Sequence, residues 1–173
     1  MSSIKGPDDA QNREATLESL VIRYQAQLLR MCYLFLKDRA LAEDAVQETF
    51  IKAYKSMTAF RGDCSEKTWL MTIAMNTCRD LRRSGWYRFF DRRVTPDMLP
   101  QAAAPCNETD EELALAVMRL PAKLREVILL YYYQGMNVHE IALTLGITQS
   151  AVSGRLKRAR ERLHNQLQRR DDA

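Results

Sequence analysis

The sequence has few of the residues that build metal or catalytic centres. It contains four cysteines and two histidines in 173 residues. None of the cysteines forms a Cys-x-x-Cys pair, so the pattern supports neither a zinc site nor another cofactor. An enzyme acting on nucleic acid would need clustered acids for a metal, or a nucleophile beside a base. Neither pattern is found, and His139 and His164 suit structural roles. We therefore expect no catalytic residue and no small-molecule substrate.

Long hydrophobic runs are also missing. No apolar stretch approaches the roughly 20 residues that a membrane span requires, and the polar segment from Met1 to Arg13 lacks the apolar region of a signal peptide. These absences predict a soluble, cytoplasmic protein whose cysteines stay reduced. Within it, we expect Cys32 and Cys78 to be small core residues, and Cys64 and Cys106 to be exposed.

No segment shows the sustained apolar–polar alternation of a strand, so the sequence predicts an all-α fold. Apolar residues recur at three- and four-residue steps in three segments of the first half: Leu17 to Phe35, about Leu41 to Met57, and about Thr68 to Arg83. The segment between the second and third helices contains Gly62 and Asp63 and is typical of a loop.

Prolines are few, and their placement predicts the domain organisation. Pro96, Pro100 and Pro105 mark a flexible linker. Beyond it, the pattern predicts a short helix from Leu113 to Leu120 and another from about Ala122 to Gln134. We expect two small helical domains, over residues 14–92 and 110–170, joined by a tether over residues 93–109.

The clearest motif lies in the last third of the chain. Asn137 and Glu140 have the spacing of a helix-capping box, and Gly146 sits where the chain must turn sharply. Thr148 can cap the helix that follows. Two short helices around a tight turn, the second rich in cations, indicate a helix-turn-helix suited to a DNA major groove. The alternative is an ordinary helical hairpin with a solvated basic face.

Cations and aromatic residues also gather over the end of the third predicted helix and the segment that follows it. The net charge is +4, and six arginines lie between Arg79 and Arg93, interleaved with Trp86, Tyr87, Phe89 and Phe90. Cations that track phosphates, beside rings on which bases stack, are what single-stranded DNA requires. The alternative is that these rings simply cap the domain.

The motifs together resemble a known family. The stretch Leu41–Tyr54, then Phe60-Arg61-Gly62, then Thr68-Trp69-Leu70 with Asn76, is similar to the first domain of bacterial extracytoplasmic-function sigma factors, group 4 of the sigma-70 family. Leu120–Val127 and the helix-turn-helix resemble the second domain. The resemblance covers about Leu17 to Leu167, in the right order.

The resemblance implies partners and site residues. Core RNA polymerase is the first partner, through the clamp helices of its largest subunit and its flap region, and the implied docking residues are Asp44, Gln47, Glu48 and Lys52. The alternative for this charged stripe is a solvated face. The implied minus-ten DNA readers are Phe60, Arg61, Gly62, Asp63, Cys64, Ser65, Lys67, Asn76, Arg79 and Arg83. The implied minus-thirty-five readers are Gln149, Ser150, Ser153, Gly154, Arg155, Lys157 and Arg158. Among them we expect Ser153, Lys157 and Arg158 to contact bases or the groove, and Arg155 to contact phosphate or to pair within the domain.

The resemblance also implies how the chain is used. The two promoter elements lie roughly 55 Å apart at about 3.4 Å per base pair. A linker that can extend over a similar distance lets both domains bind DNA at once, and it lets the domains fold together when the chain is inactive. An anti-sigma protein, often membrane-bound in this family, would hold the chain inactive at the inner face of the membrane. The rival interpretation is a dimeric helix-turn-helix regulator with a sensor domain, for which the first half shows no phosphoacceptor or ligand-pocket pattern.

Overall fold

The computed structural model describes residues 7–84 and 108–171, and every regular element in these two ranges is helical. The prediction of an all-α fold is confirmed. The elements are α1 (Pro7–Leu36), α2 (Arg39–Ser56), a 3₁₀ turn (Met57–Ala59), α3 (Glu66–Arg83), α4 (Glu108–Arg119), α5 (Ala122–Ile128) continuing as a π-helix (Leu129–Tyr133), α6 (Val138–Leu145) and α7 (Gln149–Asp171). The predicted linker before Glu108, the rings from Trp86 to Phe90 and Cys106 lie outside the described residues.

The first three helices pack into one unit, and local signals fix where two of them start. Asp38 caps α2 by accepting a hydrogen bond of 2.8 Å from the Leu41 amide, and Ser65 caps α3 through the Thr68 amide at 3.0 Å. Caps of this kind satisfy amides that have no partner within the helix. Cys32 and Cys78 are fully buried, as predicted.

Helix α1 begins about ten residues earlier than the apolar periodicity predicted. Its first turns are polar, so the sequence pattern there carries no amphipathic signal. The Arg13 guanidinium lies 4.8 Å from the centre of the Tyr54 ring on α2 and donates to its hydroxyl at 3.3 Å. This contact ties the polar beginning of α1 to the neighbouring helix.

The second unit, α4 to α7, contains the predicted helix-turn-helix. Both hydrogen bonds of the capping box form, each at 2.9 Å. The Glu140 backbone N–H donates to the Asn137 side-chain oxygen, and the Asn137 backbone N–H donates to the Glu140 carboxylate. Gly146 ends α6 with φ +64°, a left-handed conformation that costs glycine little. Val152, Leu156 and Ala159 of α7 are buried, which leaves the opposite face of that helix for other contacts.

The two units pack against each other. Small polar residues of α3 face α6, with the Thr72 and Thr144 hydroxyl oxygens 2.9 Å apart and the Thr68 hydroxyl donating to Glu140 at 3.0 Å. On α1, the Gln27 amide donates to the Tyr133 carbonyl at 3.2 Å. One continuous cluster of buried apolar residues runs through both units. Among the described helices, none is long and apolar enough to cross a bilayer.

Candidate nucleic-acid and polymerase-binding surfaces

The outer face of α2 carries the predicted polymerase-binding residues. Asp44, Gln47 and Glu48 are exposed, while Ala45 and Thr49 turn inward. The fourth predicted residue, Lys52, behaves differently. Its ammonium donates to Glu48 at 2.8 Å and to Thr77 of α3 at 3.2 Å, which directs it along the face toward α3. The stripe therefore presents two carboxylates and an amide, with one lysine at its end.

The loop before α3 brings several predicted minus-ten residues together at the surface. The Phe60 ring lies 4.8 Å from the Trp69 ring at an angle of 31°. Gly62 has φ +77°, a backbone conformation that residues other than glycine rarely adopt. Arg61, Asp63 and Cys64 are exposed. The pKa of the Cys64 thiol is raised, first by partial desolvation and then by the negative charges of Asp63 and Glu140. The thiol therefore stays protonated at neutral pH.

Two further predicted minus-ten residues lie where the loop meets α3. The Ser65 hydroxyl is the cap of α3 and donates in turn to the Thr68 hydroxyl at 2.9 Å. Lys67, in the first turn of α3, is half-buried. A serine committed to a cap has less freedom to contact a base, although Ser65 is exposed.

Asn76 lies exposed on α3 beside a groove of about 350 Å³ between α2 and α3. The groove is lined by Lys52, Lys55, Ser56, Ile73, Asn76 and Thr77. An amide can bond the edge of an extruded base, and lysines attract its phosphate. Sequence reasoning missed Lys55 and Ser56, because their approach to Asn76 depends on the packing of α2 on α3.

The recognition helix α7 exposes most of the predicted minus-thirty-five residues. Gln149, Ser150, Ser153, Lys157 and Arg158 are exposed, and Gly154 is half-buried with open space around its missing side chain. The Gln149 amide lies 3.1 Å from His139 Nδ1. Arg158 donates to the Gly154 carbonyl at 3.2 Å. These side chains form a polar and cationic surface over an apolar inner face, as a major-groove reader requires.

Arg155 and Arg79 differ from the other predicted DNA readers because both contact a buried carboxylate. Arg155 donates to Glu126 of α5 at 2.8 Å, and Arg79 of α3 lies 3.8 Å from the other oxygen of the same group. Burial raises the pKa of Glu126, while both arginines lower it. Sequence reasoning missed Glu126, since the arginines that approach it are far away in sequence. Arg83, by contrast, is exposed.

A second groove runs beside the recognition helix. It has a volume of about 660 Å³, and its lining includes four cations, Lys123, Arg155, Arg158 and Arg162. Cations along a groove next to a recognition helix can contact DNA phosphates and fix the position of the duplex. Lys123 and Arg162 were not predicted as DNA contacts. Lys123 precedes the helix-turn-helix in sequence, and Arg162 follows the part of α7 that was expected to contact DNA. Within the described ranges, no group of acids, histidines and cysteines could hold a metal ion.

Two protein families match the chain. Sigma-70 region 2 matches residues 20–88, and Sigma-70 region 4 matches residues 110–163. Together they cover most of the chain, on the two helical units described above. The surfaces built on α2, α3 and α7 therefore belong to regions 2 and 4 of a sigma-70 protein.

Several curated proteins are similar over almost their full length. The chain is 31% identical to the RNA polymerase sigma-H factor of Pseudomonas aeruginosa, over 86% of this chain and 84% of that protein. It is 33% identical to the RNA polymerase sigma factor NccH of Alcaligenes xylosoxydans xylosoxydans, over 92% and 90%. It is 29% identical to the ECF RNA polymerase sigma factor SigW of Bacillus subtilis, over 94% and 91%.

Solved structures agree with this assignment. CnrH, solved in complex with the cytosolic domain of CnrY, is 31% identical and superposes with a TM-score of 0.69 over 92% of this chain and 94% of its own. The sigma factor RpoE of Bartonella quintana, solved with the anti-sigma factor NepR, is 25% identical with a TM-score of 0.72 over 87% and 95%. The chain thus belongs to the extracytoplasmic-function sigma factors of the sigma-70 family, the non-catalytic subunits that direct RNA polymerase to promoters and start transcription.

Proposed function

We propose that three surfaces of this sigma factor divide the work of initiation. The exposed stripe of Asp44, Gln47 and Glu48 docks on the polymerase clamp helices, with Lys52 closing its end. The loop over residues 60–67 and the face of α3 read the minus-ten element. The exposed face of α7 reads the minus-thirty-five element, and the flap region of polymerase contacts the second domain.

The observation that carries this assignment is the placement of Asn76. An exposed amide stands at the rim of a groove between two helices, and Lys52 and Lys55 line that groove. The paired rings of Phe60 and Trp69 lie at the start of the same helix, 4.8 Å apart. An amide, cations and aromatic rings on one surface match the chemistry of an unpaired nucleotide. Capture of such a base offsets the few kcal/mol that opening the duplex costs.

On the recognition helix, we assign base or groove contacts to Ser153, Lys157 and Arg158. Arg158 lines a groove that Lys123 and Arg162 also line, and we assign phosphate contacts to these two cations. Arg155 reaches DNA only if it leaves Glu126, and we assign it a structural role while that pair is intact.

The proposed domains are residues 14–92 and 110–170, with residues 93–109 as the tether. The two promoter elements are roughly 55 Å apart. The packed units must therefore separate before both elements are bound, and the tether sets how far they can move. The chain acts in the cytoplasm, where polymerase works, and we propose that an anti-sigma protein at the membrane holds it at the inner face. Two structurally similar sigma factors were solved with a CnrY domain and with NepR.

The experiment that tests the minus-ten assignment is permanganate footprinting of promoter opening with core polymerase and Asn76→Ala. We expect the variant to bind core polymerase normally and to open the promoter at least about fivefold less, because a missing base contact of about 1–3 kcal/mol lowers opening by that factor or more. Gln25→Ala, which removes an exposed amide from α1, is the matched control. Normal opening by the Asn76 variant would refute the assignment.

A further inference from the structure

A cavity between α1 and the π-helix takes no part in the surfaces assigned above. Its volume is about 340 Å³, which lies within the range of roughly 300–1,000 Å³ typical of small-molecule sites. Arg23, Gln27 and Arg30 line it from α1, at a spacing that places them on one face of that helix. Tyr133 and Gln134 line it from the π-helix and the residue that ends it. We call it the α1 cavity.

Gln134 brings an unsatisfied hydrogen-bond acceptor to this cavity. The residue is only 3% exposed, and its side-chain oxygen Oε1 has no hydrogen-bond partner among the described residues. Its backbone N–H closes the π-helix by donating to the Leu129 carbonyl at 3.1 Å, and π-helical turns are frequent at functional sites. The last torsion of a glutamine side chain is broad, so the amide can turn toward a donor in the cavity. Because an unpaired buried acceptor is costly, a ligand that carries an N–H group gains affinity here.

Two arginines supply positive charge on the α1 side of the cavity. Arg23 pairs with Glu66 at 3.6 Å, and both side chains are about half exposed, so this pair contributes little in water. The Arg30 guanidinium lies 5.8 Å from the centre of the Tyr133 ring, which holds the cation at the wall of the cavity. Guanidinium groups donate in a planar fork that matches the oxygens of a phosphate. The α1 cavity is therefore suited to a phosphate-bearing ligand.

The remaining lining is apolar and includes an aromatic ring. Ala26 and Met31 of α1 face the cavity together with Tyr133. Methionine adapts its shape to a bound group, and aromatic faces stack nucleobases of any sequence. Nucleobases also carry N–H donors on their edges, and such a donor is what Gln134 lacks. Inorganic phosphate alone would leave both the apolar lining and Gln134 without a partner.

We propose that the α1 cavity binds a mononucleotide. Its phosphate pairs with Arg23 and Arg30, its base lies against Tyr133, and an N–H of the base donates to Gln134 Oε1. The binding is non-covalent, and none of the residues assigned to promoter DNA takes part in it. The chain thus has a site for a small phosphorylated molecule in addition to its surfaces for polymerase and promoter.

Isothermal titration calorimetry on the full chain tests the proposal, with AMP, GMP, CMP, UMP and inorganic phosphate as separate probes. We expect at least one nucleotide to bind at least about tenfold more tightly than inorganic phosphate, because base stacking and the bond to Gln134 add to the phosphate contacts. If every nucleotide binds no more tightly than inorganic phosphate, the proposal is wrong.

Two variants separate the two ends of the ligand. Gln134→Leu removes the acceptor and keeps a side chain of similar size, so it should weaken nucleotide binding about tenfold and leave the binding of inorganic phosphate unchanged. Arg23→Ala should weaken both probes, and because Arg23 is exposed this variant tests the site whatever the stability of Gln134→Leu. Gln134→Leu should also raise the melting temperature of the unliganded chain, since it removes an unpaired buried acceptor. Unchanged nucleotide affinity in both variants would overturn the proposal.

A third variant tests the alternative location for the phosphate. Arg158→Ala removes a cation from the groove beside α7, where a nucleotide could bind through general attraction to cations. We expect its nucleotide affinity to equal that of the unaltered chain. A loss of affinity in Arg158→Ala that is absent from Gln134→Leu and Arg23→Ala would place the nucleotide on the DNA-binding surface and would contradict the proposal.

Discussion

Replacing Arg155 with alanine should destabilise the second domain more than it weakens contacts to DNA. The Arg155 side chain is 18% exposed, and its guanidinium lies 2.8 Å from Glu126, whose side chain is 4% exposed. Removing one partner of a buried pair costs about 3–5 kcal/mol, since the other charge is left without compensation. Arg79 remains 3.8 Å away, so we expect the lower end of that range. About 3 kcal/mol corresponds to a fall of about 6–12 °C in the melting temperature of a chain of this size.

The effect should depend on pH in a defined direction. Burial raises the pKa of Glu126, and the arginines act against that rise. A group whose pKa is raised on folding favours the folded state at low pH, and this contribution is lost as the pH increases through its folded pKa. Arg155→Ala removes one lowering charge and raises the pKa further. The stability difference from the unaltered chain should therefore be largest near pH 7 and shrink as Glu126 becomes protonated.

Urea unfolding at several pH values, followed by circular dichroism, measures this difference. Arg158→Ala is the matched control, because Arg158 is exposed on the same helix and exposed substitutions usually change stability by less than about 0.5 kcal/mol. Unchanged stability of Arg155→Ala, together with a loss of promoter binding equal to that of Arg158→Ala, would refute the structural role of Arg155.

Three further predictions concern separate surfaces. Arg158→Ala should weaken promoter binding by about 1–3 kcal/mol in a gel-shift assay, because we propose that Arg158 contacts a base edge. Changing Asp44 and Glu48 together to lysine should abolish co-purification with core polymerase and leave the circular dichroism spectrum unchanged, since both side chains are exposed and the new charges oppose a basic partner. Asn137→Ala should lower stability by about 0.5–2 kcal/mol in urea unfolding, because it removes the cap of α6.

Each of these predictions has a contrary outcome. An equal loss on all DNA sequences would mark Arg158 as a phosphate contact. Normal polymerase binding by the Asp44 and Glu48 double variant would refute the docking stripe. Unaltered stability of Asn137→Ala would mean that the 2.9 Å bonds between Asn137 and Glu140 contribute little to the turn.

The helix-turn-helix could be predicted closely because its signals are local. Asn137 and Glu140 lie three residues apart and cap one helix, and Gly146 supplies the left-handed turn that follows. Apolar spacing alone indicated that Val152 and Leu156 face inward, and both are buried. Motifs that depend on neighbours in sequence leave a pattern that can be recognised without the fold.

Contacts between distant segments could not be predicted in the same way. Glu126 follows Arg125 in the sequence and carries no apolar signal, yet it is buried between arginines of α3 and α7. Thr68 and Thr72 carry no apolar signal, although they face the second unit. The π-helix that follows α5 also has no local mark in the sequence. Such features depend on tertiary packing, which periodicity does not record.

The central claim is that this chain supplies RNA polymerase with promoter recognition and strand opening. The most direct measurement is transcription in vitro by purified core polymerase on a genomic DNA library, with and without the purified chain, followed by sequencing of the RNA 5′ ends. We predict a set of start sites that requires the chain and shares two upstream elements. Failure of the chain to co-elute with core polymerase, and an unchanged set of start sites after any inhibitor is removed, would contradict the claim.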